Sequence, residues 1–299
     1  MSRESSDGWL WTFFAVWILF SFCDGGEDHS ELENRVHQLE TKLADVSRTQ
    51  EEALRLQTER RIRTAFDLLS DGDPELLRRA LGDIDDSVRR FPEDFAPGAR
   101  QAIANHIRGQ IERGGSARDD DLHLALQTLL ALEGSHVRGE GAGSRTEPET
   151  GYEVDFSNLD LRGFDFSDST LVGYNFESAD LRGVAMTISS CSECNFSNAD
   201  LQHASLGWTT FSDSSLAGAN LNMAYIAEAS FLGSDLTDSL LSVADLHRTK
   251  FSDVDLSTVL MLSLEDLEEA CISSTVELGG YLPWFPGVPD YCPPQFKIE

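Results

Sequence analysis

FESADLRGVAMTISSCSECNFSNADLQHASL, residues 176–206, returns to Leu, Phe or a close substitute at every fifth residue. Followed outward, the rhythm holds from Phe156 to Leu256 without a slip, which makes 21 central positions. Leu fills 11 and Phe seven, with Met186, Cys191 and Ile226 in the rest. Two residues before each centre the chain usually carries a small residue, as at Ala179, Ala199, Ala219 and Ala244. The residue just before the centre is Asp or Asn at 11 of the 21. A period of five fits neither an α-helix nor a plain strand. It requires a coil in which each five-residue unit makes one side and successive turns share a core.

The stretches ADLRG (179–183), NFSNADLQHASL (195–206) and ANLNM (219–223) are similar to the A(D/N)LXX signature of pentapeptide-repeat proteins. The resemblance implies a right-handed quadrilateral β-helix, four units to a coil, with the centre and the residue two before it pointing inward. Four units per coil give slightly over five coils, about 25 Å tall at ~4.8 Å between neighbouring strands. Residues twenty apart then stack, so Phe156, Phe176 and Phe196 are expected to form one core ladder and Phe211, Phe231 and Phe251 a second. Leu159, Phe164 and Tyr174 stand where small residues are usual, which predicts a wider first coil or a capping surface.

The flanks divide the rest of the chain. Trp9–Cys23 is a 15-residue stretch without a charge and with three Trp. It is expected to be a single-pass N-terminal membrane anchor within residues 1–27, although as a helix it spans only about 22 Å. A cleaved signal peptide, with Ser21 and Cys23 before the cut, is the alternative. Arg3 upstream and no basic residue before Arg35 downstream point to an extracytoplasmic location. Over 28–57, Leu32, Val36, Leu39, Leu43 and Val46 alternate spacings of four and three, the seam of a coiled coil that decays by Gln50 and Ala53. Residues 32–53 are therefore expected to make a homo-oligomer.

Residues 58–134 show four apolar stripes punctuated by Asp73–Pro74, Pro92, Pro97, Gly114–Gly115 and Asp119–Asp120, the pattern of a small α-helical hairpin domain. Its RIRTAFDLLSDGDPELLRRALGDIDDSVRRFPED (61–94) resembles the helical unit preceding the repeats in membrane-anchored bacterial members of the family. Gly-rich 135–151 reads as a linker before the repeats of 152–258. In 259–299, LSLEDLEEACISSTVEL (262–278) resembles the family's C-terminal cap. Ser263 and Asp266 there suggest a capping box for a helix over 263–271.

The 299-residue chain carries a net charge of −29, with 16 acidic and four basic residues between Tyr152 and Thr258. That charge excludes direct nucleic-acid binding, which needs Lys and Arg against phosphate, and disfavours contact with anionic lipid. The acidic surface is expected at Asp155, Asp165, Asp180, Asp200, Asp213, Asp235, Asp245 and Asp255. Cys191-x-x-Cys194 could suggest a metal knuckle or redox pair, but both positions are inward and no matching Cys or His pair exists, so core packing is the preferred reading. Five cysteines are too few and scattered for a disulfide framework. The seven His form no catalytic or metal-binding spacing, and no phosphate-cradling or nucleophile-elbow motif occurs. No enzyme activity, cofactor or metal is assigned. The reading is a non-catalytic, membrane-tethered scaffold that binds an unidentified protein partner through its acidic β-helix. The alternative is a DNA mimic that occupies a DNA-handling enzyme such as gyrase, as the resemblance to quinolone-resistance members implies.

Overall fold

The computed structural model describes residues 29–71, 73–133, 154–260, 262, 267, 269–273 and 275–278. The expected linker at 135–151 lies outside them. Helix α1, His29–Leu68, runs without a break through the boundary expected at 57/58, where the chain divides into two compact units. In the first unit Leu39, Leu43 and Val46 point their apolar side chains into solvent.

The second unit opens with helices that bury one stripe each. In α2, Pro74–Arg90, the Asp73 carboxylate accepts from Glu75 N at 2.8 Å and Pro74 occupies the first turn, where its missing N–H matters least. Leu77, Leu81, Ile84 and Val88 are buried. Helix α3, Pro92–Glu112, starts at the first of two punctuating prolines and carries the second, Pro97, inside it. Two prolines compete there, and the earlier one supplies the favoured N-terminal geometry. Helix α4, Asp120–Glu133, packs on α2 and α3 with Leu122, Leu126 and Leu129 buried.

From Val154 the chain winds into a parallel β-solenoid of about six turns. Strands β1 (Val154–Asp155) and β3 (Tyr174–Asn175) pair in one sheet. A second sheet has the order β2 (Thr170–Val172), β4 (Ser190–Ser192), β5 (Thr210–Ser212), β6 (Ser230–Leu232), β7 (Lys250–Ser252) and β8 (Cys271–Ile272). The register is twenty residues, as in Thr170↔Ser190↔Thr210↔Ser230↔Lys250. Main-chain bonds link coil to coil: Phe156 N donates to Asn175 O at 2.7 Å and Asp180 N to Leu159 O at 2.9 Å.

The corners have one cause. Every fifth residue from Asn158 to Asp253 has a positive φ, with no exception. Together with bonds such as Ala179 N to Phe176 O at 3.0 Å, this is the β-turn whose third residue must be left-handed. Four such turns per twenty residues make the coil four-sided. Each side is named below by its first centre: the Phe156, Leu161, Phe166 and Leu171 faces.

The centres fill the interior. Phe176 stacks on Phe196 with centroids 4.9 Å apart, and Phe211, Phe231 and Phe251 stack at 5.1 and 5.4 Å. Phe156 is tilted against Phe176 instead, because the Tyr174 ring enters the first coil and stacks on Phe176. Buried hydroxyls bond carbonyls of the preceding coil, as in Ser189 Oγ to Phe166 O at 2.7 Å and Thr249 Oγ1 to Ile226 O at 2.8 Å. The first coil meets the helices: Arg108 of α3 donates to Asp155 O at 3.0 Å and Ser157 O at 3.1 Å.

The sheet does not end with the periodic repeat. Cys271 pairs with Lys250, 21 residues away, and Glu277 bridges Asp255, 22 away. Most of the helix expected over 263–271 lies outside the described residues; Leu267 and Ala270 are buried against the coil's end. The single-pass N-terminal anchor is not sustained, and with it the extracytoplasmic placement. Among the described residues no helix is long and apolar enough to cross a membrane. Segment 9–23 itself lies outside those residues, and its ~22 Å helical reach falls short of a ~30 Å hydrocarbon core.

Candidate interaction surface

The Asp residues just before the centres have a job inside their own turns. Asp155, Asp165, Asp235 and Asp255 accept, through Oδ1, the N–H two residues on, at 3.0, 2.9, 2.9 and 2.7 Å. Asp180, Asp200 and Asp245 do the same for Arg182, Gln202 and His247 at 3.3, 3.2 and 3.1 Å. Asn175 and Asn195 make the equivalent bond. This is the Asx turn, and it explains why Asp and Asn share the position. Asp213 differs: it is itself a left-handed corner residue, and its carboxylate lies where a Cβ on Gly233 would approach to 2.7 Å.

Charge on the rod is unevenly compensated. On the Leu161 face, Arg162 Nε bonds Asp160 at 2.8 Å and reaches Asp180 at 3.4 Å, while Arg182 bonds Asp180 and reaches Asp200 at 3.6 Å. Hydrogen bonds from these arginines hold the Asp160 and Asp180 carboxyls below the ordinary range, against a smaller opposing effect of burial. At Asp155 burial pushes the carboxyl up, but bonds from Ser157, the Arg108 charge and the Asn175 amide outweigh it and leave it low. Bonds from the Ser257 side chain and backbone lower Asp255.

The adjoining Leu171 and Phe156 faces are different. Asp213 and Asp253 stand on the corner between them, with Asp235, Asp238 and Asp255 alongside. None of these five lies within ion-pair reach of a described arginine or lysine. So the structure separates the eight expected carboxylates. Asp180 and Asp200 join an Arg ladder, Asp155 joins the helices through Arg108 at 3.2 Å, Asp165 and Asp245 sit on the Phe166 face, and Asp213, Asp235 and Asp255 contribute to the uncompensated edge.

Cys191 and Cys194 are buried, and their sulfurs are joined in a disulfide. The left-handed Glu193 between them brings their Cα atoms to 5.9 Å, inside disulfide range. Core packing, the preferred reading, holds for their burial, and the disulfide is a bond that it did not include; Cys271 is disulfide-bonded as well. Among the described residues no group of three or more His, Cys, Asp or Glu could hold a metal ion. The hollow of about 450 Å³ beside α4 is lined by Asp73, Arg78, His106 and Asp119–Asp121. Arg78 reaches Asp121 there at 3.6 Å, and burial pushes the His106 imidazole down. Periodicity hides one further set, because it falls outside the inward positions: Ile188, Trp208, Met223, Tyr225 and Val243 are large, apolar and exposed.

A family model for pentapeptide repeats matches residues 152–187, 189–224 and 220–257, in eight copies. A pentapeptide repeat protein of the Arabidopsis thaliana thylakoid lumen is 25% identical over 32% of this chain and 66% of its own, with a TM-score of 0.22. One from the cyanobacterium Cyanothece is 18% identical over 38% and 63%, with a TM-score of 0.21. QnrB1, a plasmid-mediated fluoroquinolone resistance protein, is 21% identical over 44% and 77%, with a TM-score of 0.29. The chain spans just under two thirds of the first two of these structures. No curated protein matches it.

Proposed function

We propose that this chain, a pentapeptide-repeat protein over residues 152–257, is a non-catalytic scaffold that recognises a protein partner by the negative charge of one edge of its β-helix. The observation that carries the reading is the uncompensated set Asp213, Asp235, Asp238, Asp253 and Asp255 on two adjoining faces. Ordered carboxylates without local counter-charges attract a basic surface and speed its encounter. The rest of the candidate list lies outside this edge: Asp155, Asp180 and Asp200 are tied to Arg108, Arg162 and Arg182, and Asp165 and Asp245 sit on the Phe166 face.

Replacing all five by Asn tests this cleanly. Asn keeps the side-chain oxygen that the turns use at Asp235 and Asp255, tolerates the left-handed corners at Asp213, Asp238 and Asp253, and removes the charge. Proteins retained by the full-length chain at low salt should be lost both from the variant and at raised salt, since exposed charges are screened beyond ~8–10 Å near physiological ionic strength. A partner held equally by both would refute recognition through this edge.

A second reading is that the edge imitates duplex DNA and occupies a DNA-handling enzyme such as gyrase. It rests on the same carboxylates and makes a narrower demand: the full chain should inhibit supercoiling and compete with duplex DNA. Absence of inhibition at micromolar protein removes it and leaves the scaffold. We also infer self-association through residues 32–53, supported by the exposed seam Leu39, Leu43 and Val46. Leu43→Asp should abolish any oligomer built on it.

A further inference from the structure

Five apolar side chains cross one face of the solenoid on a diagonal. Ile188 and Trp208 stand at the corner that closes the Phe166 face in the second and third coils. Tyr225 begins that face in the fourth coil, and Met223 and Val243 stand at the corner entering it in the fourth and fifth. All five are between 40% and 70% exposed. Tyr225 is fixed in place, lying over Gly207 and 6.3 Å from the Trp208 ring. Four of the five occupy left-handed corners, with φ of 60° at Ile188, 58° at Trp208 and Met223, and 55° at Val243. An L-residue there costs ~1–2 kcal/mol, and β-branched residues suit it least. The other corners of the rod carry Gly, Asn, Asp, Ser, Glu, His or Arg, and none of them is β-branched. No burial within the chain offsets the strain of putting Ile and Val on the outside, so the benefit must come from a contact.

We propose that the Phe166 face is the contact between two copies of the chain, packed antiparallel about a two-fold axis at the third coil. A two-fold contact is self-complementary, each patch meeting itself. Residues twenty apart stack, so this axis sets coil one against coil five, coil two against coil four, and every column against itself. Trp208 then meets Trp208 of the second copy. Met223 falls opposite Gly183 and Tyr225 opposite Ala185, so bulk meets a small residue or none; Val243 falls opposite Gly163, which has Ala117 beside it. Asp168, exposed in the first coil, meets Arg248 in the fifth. Ile188 meets Glu228, whose carboxylate is drawn 3.8 Å from Arg248. The like pair Asp165 and Asp245 lies at the outer end of its column, open to screening.

Charge also singles out a copy of this chain as the occupant. At a net charge of −29 the molecule repels itself elsewhere, but over coils two to four the Phe166 face carries a single charged residue, Glu228. The opposite Phe156 face, with its share of the acidic edge, stays free on both copies, so this contact is independent of partner recognition.

Cysteine cross-linking in the full-length chain tests the axis. Trp208→Cys, and Ser205→Cys, which leaves Trp208 in place, each put a thiol in a column that meets itself at the third coil. Asn198→Cys occupies the matching corner on the opposite face of the same coil and is the control. Any association through residues 32–53 acts equally on all three. Under mild oxidation the covalent dimer should form roughly tenfold more readily at 208 or 205 than at 198. Asp168→Arg or Arg248→Asp should each lower that yield roughly tenfold, and the two together should restore it, since like charges opposed across a contact become a pair again. Cross-linking at 208 and 205 no better than at 198 overturns the proposal. So does a charge-swapped double variant that performs no better than the singles.

Discussion

The ring of Tyr225 rests on the backbone of Gly207, so close that a Cβ at 207 would lie 2.4 Å from Cε1 and 3.0 Å from Cδ1. The coil has room for an aromatic residue there only because the residue beneath it has no side chain. Gly207→Ala should cost about 1 kcal/mol by displacing the ring. In a Tyr225→Ser background the same change should be nearly neutral, giving a coupling above ~0.5 kcal/mol in denaturant melts. Additive losses would show that the two residues do not depend on each other.

Phe196 has Phe176 stacked on it at 4.9 Å and Phe211 edge-on at 5.6 Å. Phe196→Ala is expected to lose ~3–5 kcal/mol, the usual result of emptying a large, fully buried site. Asp213→Asn, on an exposed corner whose left-handed backbone Asn also tolerates, should lose less than ~0.5 kcal/mol. Similar losses at both would contradict the inward and outward assignment of the columns.

Corner strain gives a prediction of the opposite sign. Val243→Asn places a residue that tolerates the left-handed region where a β-branched one is held at φ 55°. The isolated chain should gain about 1 kcal/mol. The same substitution should weaken the paired form, because it removes the group set against Gly163. Thermal melts at low concentration and sedimentation at high concentration read the two effects separately. A variant that loses stability as a monomer would show that Val243 is packed rather than strained.

The Arg ladder should make stability depend on pH. Asp160 and Asp180 have folded-state pKa values below those of the unfolded chain. Their contribution is therefore complete above the ordinary carboxylate range of about 4 and is lost as pH falls through the folded values. Asp160→Asn with Asp180→Asn should lower the melting temperature at pH 7, and the gap from wild type should narrow steadily below pH ~4. A gap that stays constant down to pH ~2 would remove the ladder as a source of stability.

What could be read from the residues follows from what repeats. Twenty-one centres in phase are enough to define the coil, because each must stack on a residue of the same kind. The Asp before the centre is harder to interpret. From spacing alone Asp155 or Asp255 looks like free surface charge, and only the bond to the N–H two residues on reveals a turn acceptor. Arg108 carries no signal at all, since its partners Asp155 and Ser157 lie 47 and 49 residues away. The start of α3 was obscured because Pro92 and Pro97 are both legitimate first-turn residues. Beyond Leu256 the period is lost, so the pairing of Cys271 with Lys250 leaves no rhythm to follow. Exposed Trp208 and Val243 fall on positions whose side chains the repeat leaves unspecified.

The fixed twenty-residue register also bears on how the rod assembles. Adding each coil closes a loop of the same length onto an edge already in place, so every step after the first carries nearly the same entropic charge. Such a chain grows as a zipper from a template, in the manner of quasi-one-dimensional repeat arrays. A template at the N-terminal end, where α3 grips the first coil through Arg108, would make that growth directional. Shortening the chain from its C-terminus in steps of twenty residues should therefore leave shorter rods that still fold. Deleting the helices should remove the seed and slow the appearance of all coils together.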